Sequence, residues 1–358
     1  MEAAGLETRQ QAELTAATND AVATSAIEGE ELPPANVRSS IARRLGLPDA
    51  GLAPEDSRVE GVAEMVLDAT HNCRRPLTQE RLFGWHRALF ASPRPSLEAP
   101  VDVGRWRTDA HGPMQVVSGA YRGSKAPRVH FEAPPAGRVA AEMTQFIEWF
   151  AANPKDLDAL VRAAIAHLWF VTIHPFDDGN GRIGRAIADM AIAQAEPTGG
   201  QRFYSLSSAI LRQRRAYYMA LERAQRGNLD ITEWLLWFLQ CHRQAVRHAE
   251  SAAQRVIDIA RFWPSVEPVN TRQRKALGKL LDDWEGLMTT RKWAAINGVS
   301  ADTAQRDIAD LVARGILVPN EKGGRSTGYT LNPTPPPAPA DTPTPSPAPP
   351  APRYAHGA

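Results

Sequence analysis

The chain has 358 residues, more than one compact domain usually holds, so two or three domains are expected. Hydrophobic residues make up 43% and Lys+Arg 41 against Asp+Glu 40 leaves a net charge of +1. That excludes disorder of the whole chain and a surface built throughout for nucleic acid or anionic lipid. Cys73 and Cys241 are too few for a disulfide framework and fit a reducing compartment. No apolar run approaches ~18 residues and the N-terminus does not read as a secretory signal, so no membrane association and a cytoplasmic location are expected.

Taken in chain order, helix signals dominate. A first helix is expected from about Thr8 to Glu28, stopping before Pro33-Pro34. Val59–Cys73 and Thr78–Phe90 form two further amphipathic stretches. A Gly/Pro/Arg-rich region from Val101 to Pro135 breaks the pattern. Its pieces Met114–Val117 and Arg128–Phe131 alternate as the strands of a hairpin do. Helices resume at Ala136–Ala152, Asp156–Thr172, Gly181–Ala195, Ser207–Gly227 and Ile231–Arg261.

A second module follows the break at Pro264 to Asn270. Helices over Thr271–Asp283, Thr289–Asn297 and Ser300–Arg314, with Gly298 in the turn and Ser300 as N-cap, have the layout of a helix-turn-helix. Ile316–Val318 and Tyr329–Leu331 flank Lys322-Gly323-Gly324-Arg325 as a two-stranded wing would, so a winged-helix domain is expected. Eleven of the 29 prolines lie beyond residue 332, in a tail too poor in hydrophobes to pack. The expected fold class is mainly α, with a small β-hairpin and a C-terminal winged helix. Its parts are an N-terminal helical region over 1–110, a helical core over 111–262, the winged helix over 270–331 and a disordered Pro-rich tail over 332–358.

The most informative segment is His174-Pro175-Phe176-Asp177-Asp178-Gly179-Asn180-Gly181-Arg182-Ile183-Gly184-Arg185. Pro175 ends one helix, and the glycines allow a tight loop whose N–H groups converge. The next helix begins at Gly181, so its unpaired N–H groups and positive dipole end face the same spot. Arg182 and Arg185, three residues apart, are neighbours on that helix's first turn. Together these form a polyphosphate cradle. Asp178 would repel phosphate unless a cation lies between them, and Mg²⁺ is the expected one. His174, titrating near neutrality, can take a proton from an attacking hydroxyl. Base, metal carboxylate and cradle within twelve residues point to transfer at phosphorus.

This segment resembles the Fic (Fic/DOC) family signature His-Pro-Phe-x-Asp/Glu-Gly-Asn-Gly-Arg-x-x-Arg at every fixed position. The resemblance extends over most of residues 10–262. It implies a Fic-type helical core and a protein adenylyltransferase that moves AMP from ATP to a hydroxyl side chain of a target protein. By the same resemblance His174 is the base and Asp178 holds Mg²⁺. Gly179, Asn180, Gly181 and Arg182 bind the α- and β-phosphates, Arg185 holds the γ-phosphate, and Phe176 is a core anchor. Val129, His130 and Phe131 fall where the family carries a flap that orients the target. Tyr217, Tyr218 and Gln225 fall at the spacing where a late helix contacts adenosine, although family members often have Asn at the last of these.

Thr24-Ser25-Ala26-Ile27-Glu28-Gly29 resembles the family's inhibitory motif, Ser/Thr-x-x-x-Glu-Gly/Asn. Thr24 and Glu28 share a helix face, and Glu28 could pair bidentately with Arg185 where the γ-phosphate would sit. Other readings stay open at this stage. The module at 271–331 carries ten Lys/Arg against seven Asp/Glu, +3, with Arg306 and Arg325 facing DNA if it is a regulator that uses the Fic domain as nucleotide sensor. A Fic enzyme could also transfer another phosphate-linked group or remove AMP. Self-modification, a homodimer and the identity of the target are not decided by the sequence.

Overall fold

A computed structural model describes residues 5–48, 56–91, 101–110, 112–118, 128–153, 157–196, 200–282, 284, 286–320 and 327–332. The expected Pro-rich tail, Lys322 and Arg325 lie outside the described residues. The chain divides into two compact units, Met1–Ser251 and Ala252–Ala358.

In the first unit, α1 (Leu6–Ile27) is followed by α2 (Pro34–Arg44), where no helix was anticipated. Pro34 sits in its first turn, where the missing N–H costs nothing, so the Pro pair starts a helix as well as stopping one. α3 (Ser57–His71) is capped by Asp56 and α4 (Gln79–Leu89) by Thr78. β1 (Gln115–Ser118) pairs antiparallel with β2 (Arg128–Glu132), as the alternation of the hairpin pieces predicts. α5 (Ala136–Ala152) leads to α6 (Ala159–Ile173), whose start is fixed by the Asp158 carboxylate accepting from the Leu160 and Val161 N–H groups. α6 is apolar on nearly every side because α5 and α7 (Asn180–Ala195) both pack on it. Gly184 permits that approach: a Cβ there would lie 2.8 Å from Val171 Cγ1.

The single helix expected over Ser207–Gly227 is two, α8 (Leu206–Arg212) and α9 (Arg214–Arg226), broken at Gln213. No Gly or Pro marks the break. Tertiary contacts hold it instead: the Ser205 hydroxyl caps α8, and the Gln213 amide donates to Gln244 on α10 (Thr232–Val266). α10 also runs five residues past the expected end, through Pro264, and the boundary between the units falls within it.

In the second unit, α11 (Thr271–Leu281) begins with a reciprocal Asn270–Gln273 capping box. β3 (Met288–Thr289), α12 (Thr290–Asn297), α13 (Ala301–Ala313), β4 (Leu317–Pro319) and β5 (Gly328–Leu331) follow. Gly298, at φ +63°, turns the chain between α12 and α13, and the Ser300 hydroxyl accepts from the Thr303 N–H. The sheet has three strands in the order β3-β5-β4, one more than the two-stranded expectation, because Met288 and Thr289 pair with Tyr329 and Gly328. Trp293, Ile308, Leu311 and Tyr329 lie in its own core. Among the described residues no helix is long and apolar enough to cross a membrane.

Candidate active site

His174 ends α6 in the left-handed backbone region, φ +52°, with its N–H still bonded to the Phe170 carbonyl at 3.0 Å. Pro175 prevents another turn. Imidazole Nδ1 lies 3.1 Å from the Val171 carbonyl oxygen, which can only accept. Nδ1 therefore carries the hydrogen and Nε2 presents its lone pair. Burial, and then the Arg107 charge, push the His174 pKa down, so the ring is neutral and basic at Nε2 near pH 7.

The loop from His174 to Gly179 is closed by side chains. The Asn180 amide accepts from the Phe176 N–H at 3.0 Å and donates to the Phe176 carbonyl at 2.7 Å. The Phe176 ring is fully buried and stacks on His86, with ring centroids 4.2 Å apart. Burial takes the His86 pKa down to about 4. Its Nδ1 accepts from the Gly104 N–H at 2.9 Å, so Nε2–H donates to the Asp178 carbonyl at 3.2 Å. His86 was not singled out from sequence; its spacing with Leu82, Trp85 and Leu89 on the buried face of α4 was the only signal.

Gly179, at φ +83°, turns the chain into α7. Both arginines of the first turns are buried, and each meets a glutamate from beyond the end of α1. Arg185 donates to Glu28 Oε1 at 2.7 Å, to the Thr24 hydroxyl at 2.8 Å and to the Thr24 carbonyl at 2.9 Å. Burial opposes its charge, yet Glu28 holds its pKa above the ordinary value. The pairing is one-pronged where a bidentate one was expected, because Nε is taken by the Thr24 hydroxyl and Nη1 faces the Tyr217 hydroxyl, leaving Nη2 alone for Glu28. Arg182 donates to Glu30 Oε2 at 2.8 Å, with Asp178 Oδ1 at 3.6 Å and the Phe90 ring beneath it.

Glu30 was not among the residues singled out from sequence. α1 ends with Glu28 as cap and Gly29 at φ +83°, the Gly29 N–H bonding Ala26 and the Glu30 N–H bonding Ser25. This reversal brings acids on either side of a left-handed glycine to the same helix start. An acid directly after the Gly was the signal. The Glu28 carboxylate lies over Gly181, where a Cβ would come within 2.1 Å of Oε1.

Asp178 keeps its carboxylate partly exposed at this rim. Among the described residues no group of three or more His, Cys, Asp or Glu could hold a metal. One carboxylate at a cationic helix start suits a cation that arrives with phosphate oxygens. Tyr217 is buried, its hydroxyl 3.5 Å from Arg185 Nη1 and 2.9 Å from His167 Nε2, so it braces Arg185 from within. The Tyr218 hydroxyl donates to the Ile27 carbonyl at 3.1 Å, and Gln225 reaches Thr172 at 3.3 Å. Val129, His130 and Phe131, expected to form a flap, lie on β2. The Val129 carbonyl accepts from Arg226, His130 Nδ1 lies 2.8 Å from Glu222, and Phe131 pairs with Val116.

Residues 76–192 match the family model described as Fic/DOC family, and residues 1–47 match a domain of unknown function, DUF4172. The Fic/DOC match covers about a third of the chain, and it includes the whole segment from His174 to Arg185. The chain is 30% identical over 105 residues to a probable protein adenylyltransferase of Aquifex aeolicus, covering 29% of this chain and 30% of that protein. It is 24% identical over 230 residues to the protein adenylyltransferase Fic of Nematostella vectensis, covering 62% of this chain and 46% of that one. The matches therefore span less than half the length of these curated relatives. Among solved structures, a Fic domain containing signaling protein from Bacteroides thetaiotaomicron superposes with a TM-score of 0.51 at 19% identity. That match covers 70% of this chain and 92% of the other, and it shows the fold alone.

Proposed function

We propose that the protein is an adenylyltransferase that moves AMP from ATP to a hydroxyl side chain of a target protein and is held back by its own Glu28. One observation carries this reading. A neutral histidine with Nε2 available ends one helix, and six residues later the next helix begins with two buried arginines, each paired to a displaceable carboxylate.

In the reaction, His174 Nε2 takes the proton of the target hydroxyl while Nδ1–H stays on the Val171 carbonyl, which keeps the ring oriented. The hydroxyl oxygen bonds to the α-phosphorus, the bond to the bridging oxygen breaks, and diphosphate leaves. Arg182, Arg185 and the N–H groups at Gly179, Asn180 and Gly181 would hold the phosphates and neutralise charge built up on the leaving group. Asp178 would hold Mg²⁺, which supplies further neutralisation across the phosphates. Tyr217 would support the nucleotide only through Arg185, while Gln225, near the end of α6, would reach it directly.

Glu28 would act by occupying the arginine that the γ-phosphate needs, leaving the phosphates out of line for attack. In the C-terminal unit, the α12–turn–α13 pair with its three-stranded sheet supports the winged-helix reading. The test is intact-mass and peptide mass spectrometry of the wild type, Glu28→Gly and Glu28→Gly/Arg185→Ala proteins incubated with ATP, Mg²⁺ and lysate. AMP transfer should rise about tenfold or more in the single variant and fall back in the double one. A Glu28→Gly protein that binds ATP and modifies nothing would overturn the reading.

A further inference from the structure

His174 stands in a backbone region that is unfavourable for a non-glycine residue and lasts only where the surroundings impose it. One side chain is built to impose it. Arg107, in the irregular segment after α4, is fully buried at its side chain. Its Nε donates to the His174 carbonyl at 2.7 Å, and its own N–H donates to the next carbonyl, Pro175, at 2.9 Å. Nη2 donates to the Pro134 carbonyl, at the junction between β2 and α5. Nη1 is 3.4 Å from Asp109, whose carboxylate accepts from the Ala136 N–H at 2.9 Å, at the start of α5.

Burying a guanidinium is costly, and burial lowers the Arg107 pKa. A structural arginine usually meets a buried carboxylate. Here Nε and Nη2 go to main-chain carbonyls, and the acid that Nη1 approaches, Asp109, is largely exposed. The segment carrying Arg107 is itself pinned, by the Gly104 N–H on His86 and by Trp106 packed against Phe83 and Phe176. A pinned fork between two carbonyls fixes the distance between them.

We infer that Arg107 is a positioning residue: it holds His174 in its left-handed backbone and ties it to the root of the β1–β2 hairpin, so that base and hairpin keep one geometry. The inference rests on the reading of His174 as the base. Displacing a catalytic group by about 1 Å can cost 10²-fold in rate, which sets the scale of the effect.

The test uses the full chain in the Glu28→Gly background, with Arg107→Met and Arg107→Lys. Arg107→Met should lower kcat for AMP transfer about 100-fold, with KM for ATP and calorimetric ATP affinity changed by less than about twofold. Lys keeps the charge but cannot fork to both carbonyls, so Arg107→Lys should fall between the two. Unchanged kcat, or equal losses of kcat and ATP affinity, would overturn the inference. Hydrogen exchange supplies a readout independent of activity. In Arg107→Met the bonded amides of His174, Phe176, Ala133 and Ala136 should exchange faster while those of α7 do not. Unchanged or uniformly raised exchange would overturn it too. If the Glu28→Gly protein binds ATP but transfers nothing, the transferase reading fails and the exchange data alone decide the role of Arg107.

Discussion

Helix α7 carries buried charge at two places, and the two are built differently. In its second half Asp189 pairs with Arg202, and Asp20 from the middle of α1 completes the cluster at 3.7 Å. All three side chains are 5% exposed or less, and Asp20 also accepts from the Ser205 hydroxyl and the Ser207 N–H. At its start, Arg182 and Arg185 are as deeply buried, but their partners Glu30 and Glu28 are 16% and 28% exposed. Those partners come from the turn that ends α1. The first cluster is closed: none of its members has the solvent access to be exchanged, and loss of Arg202 would strand both acids inside the core. The second is open on its anionic side, where another anion with solvent access can take the place of the carboxylates. Buried arginines by themselves therefore do not single out a candidate site; the solvent access of their partner acids does.

On the proposed function, the start of α7 should govern rate and its second half stability, and the comparison can be broken at either place. The largest effect is expected at the open end. His174→Ala in the Glu28→Gly background should lower AMP transfer about 10²–10⁴-fold in a labelled-ATP assay while ATP still binds. Chemical denaturation of that variant should stay within about 1 kcal/mol of its parent. The reverse is expected in the middle. Asp189→Ala removes the nearer carboxylate of Arg202, leaves only the longer contact to Asp20, and should cost about 3 kcal/mol by urea unfolding monitored by circular dichroism. A stable Asp189→Ala protein would show the closed cluster to be as replaceable as the open one. The smallest effect should come from Glu30→Gln added to Glu28→Gly. It should raise AMP transfer further, by up to roughly fivefold, the scale of one partly exposed ion pair. A fall in transfer would make Glu30 a support of Arg182 and confine the brake to Glu28.

The helical class, the hairpin and the break between α6 and α7 were legible because local chemistry dictates them: Pro175 and Gly179 stop and restart helices whatever surrounds them. The Glu28–Arg185 contact was expected from the resemblance of residues 24–29 to the inhibitory motif; spacing by itself put only Thr24 and Glu28 on one helix face. The break at Gln213 was not, because it depends on Gln244 from a helix thirty residues on. The third strand of the C-terminal sheet was missed because two residues are too few to show alternation. Glu30 was passed over because a charge after a glycine is read as solvated until the direction of the turn is known.

The sequence by itself determined which chemistry was available at the end of α6: a histidine, a carboxylate, glycines and two arginines at fixed spacing around a helix start. These are short-range properties, set by backbone sterics and hydrogen-bond capacity within a dozen residues. Only the tertiary structure decided what those groups face. His174 keeps its backbone because Arg107 arrives from 67 residues away. Arg182 meets Glu30 across 152 residues, and Arg185 meets Glu28 across 157. Contacts at such separations leave no local periodicity, since they form only when distant helices share a core and place buried donors beside the acceptors that satisfy them.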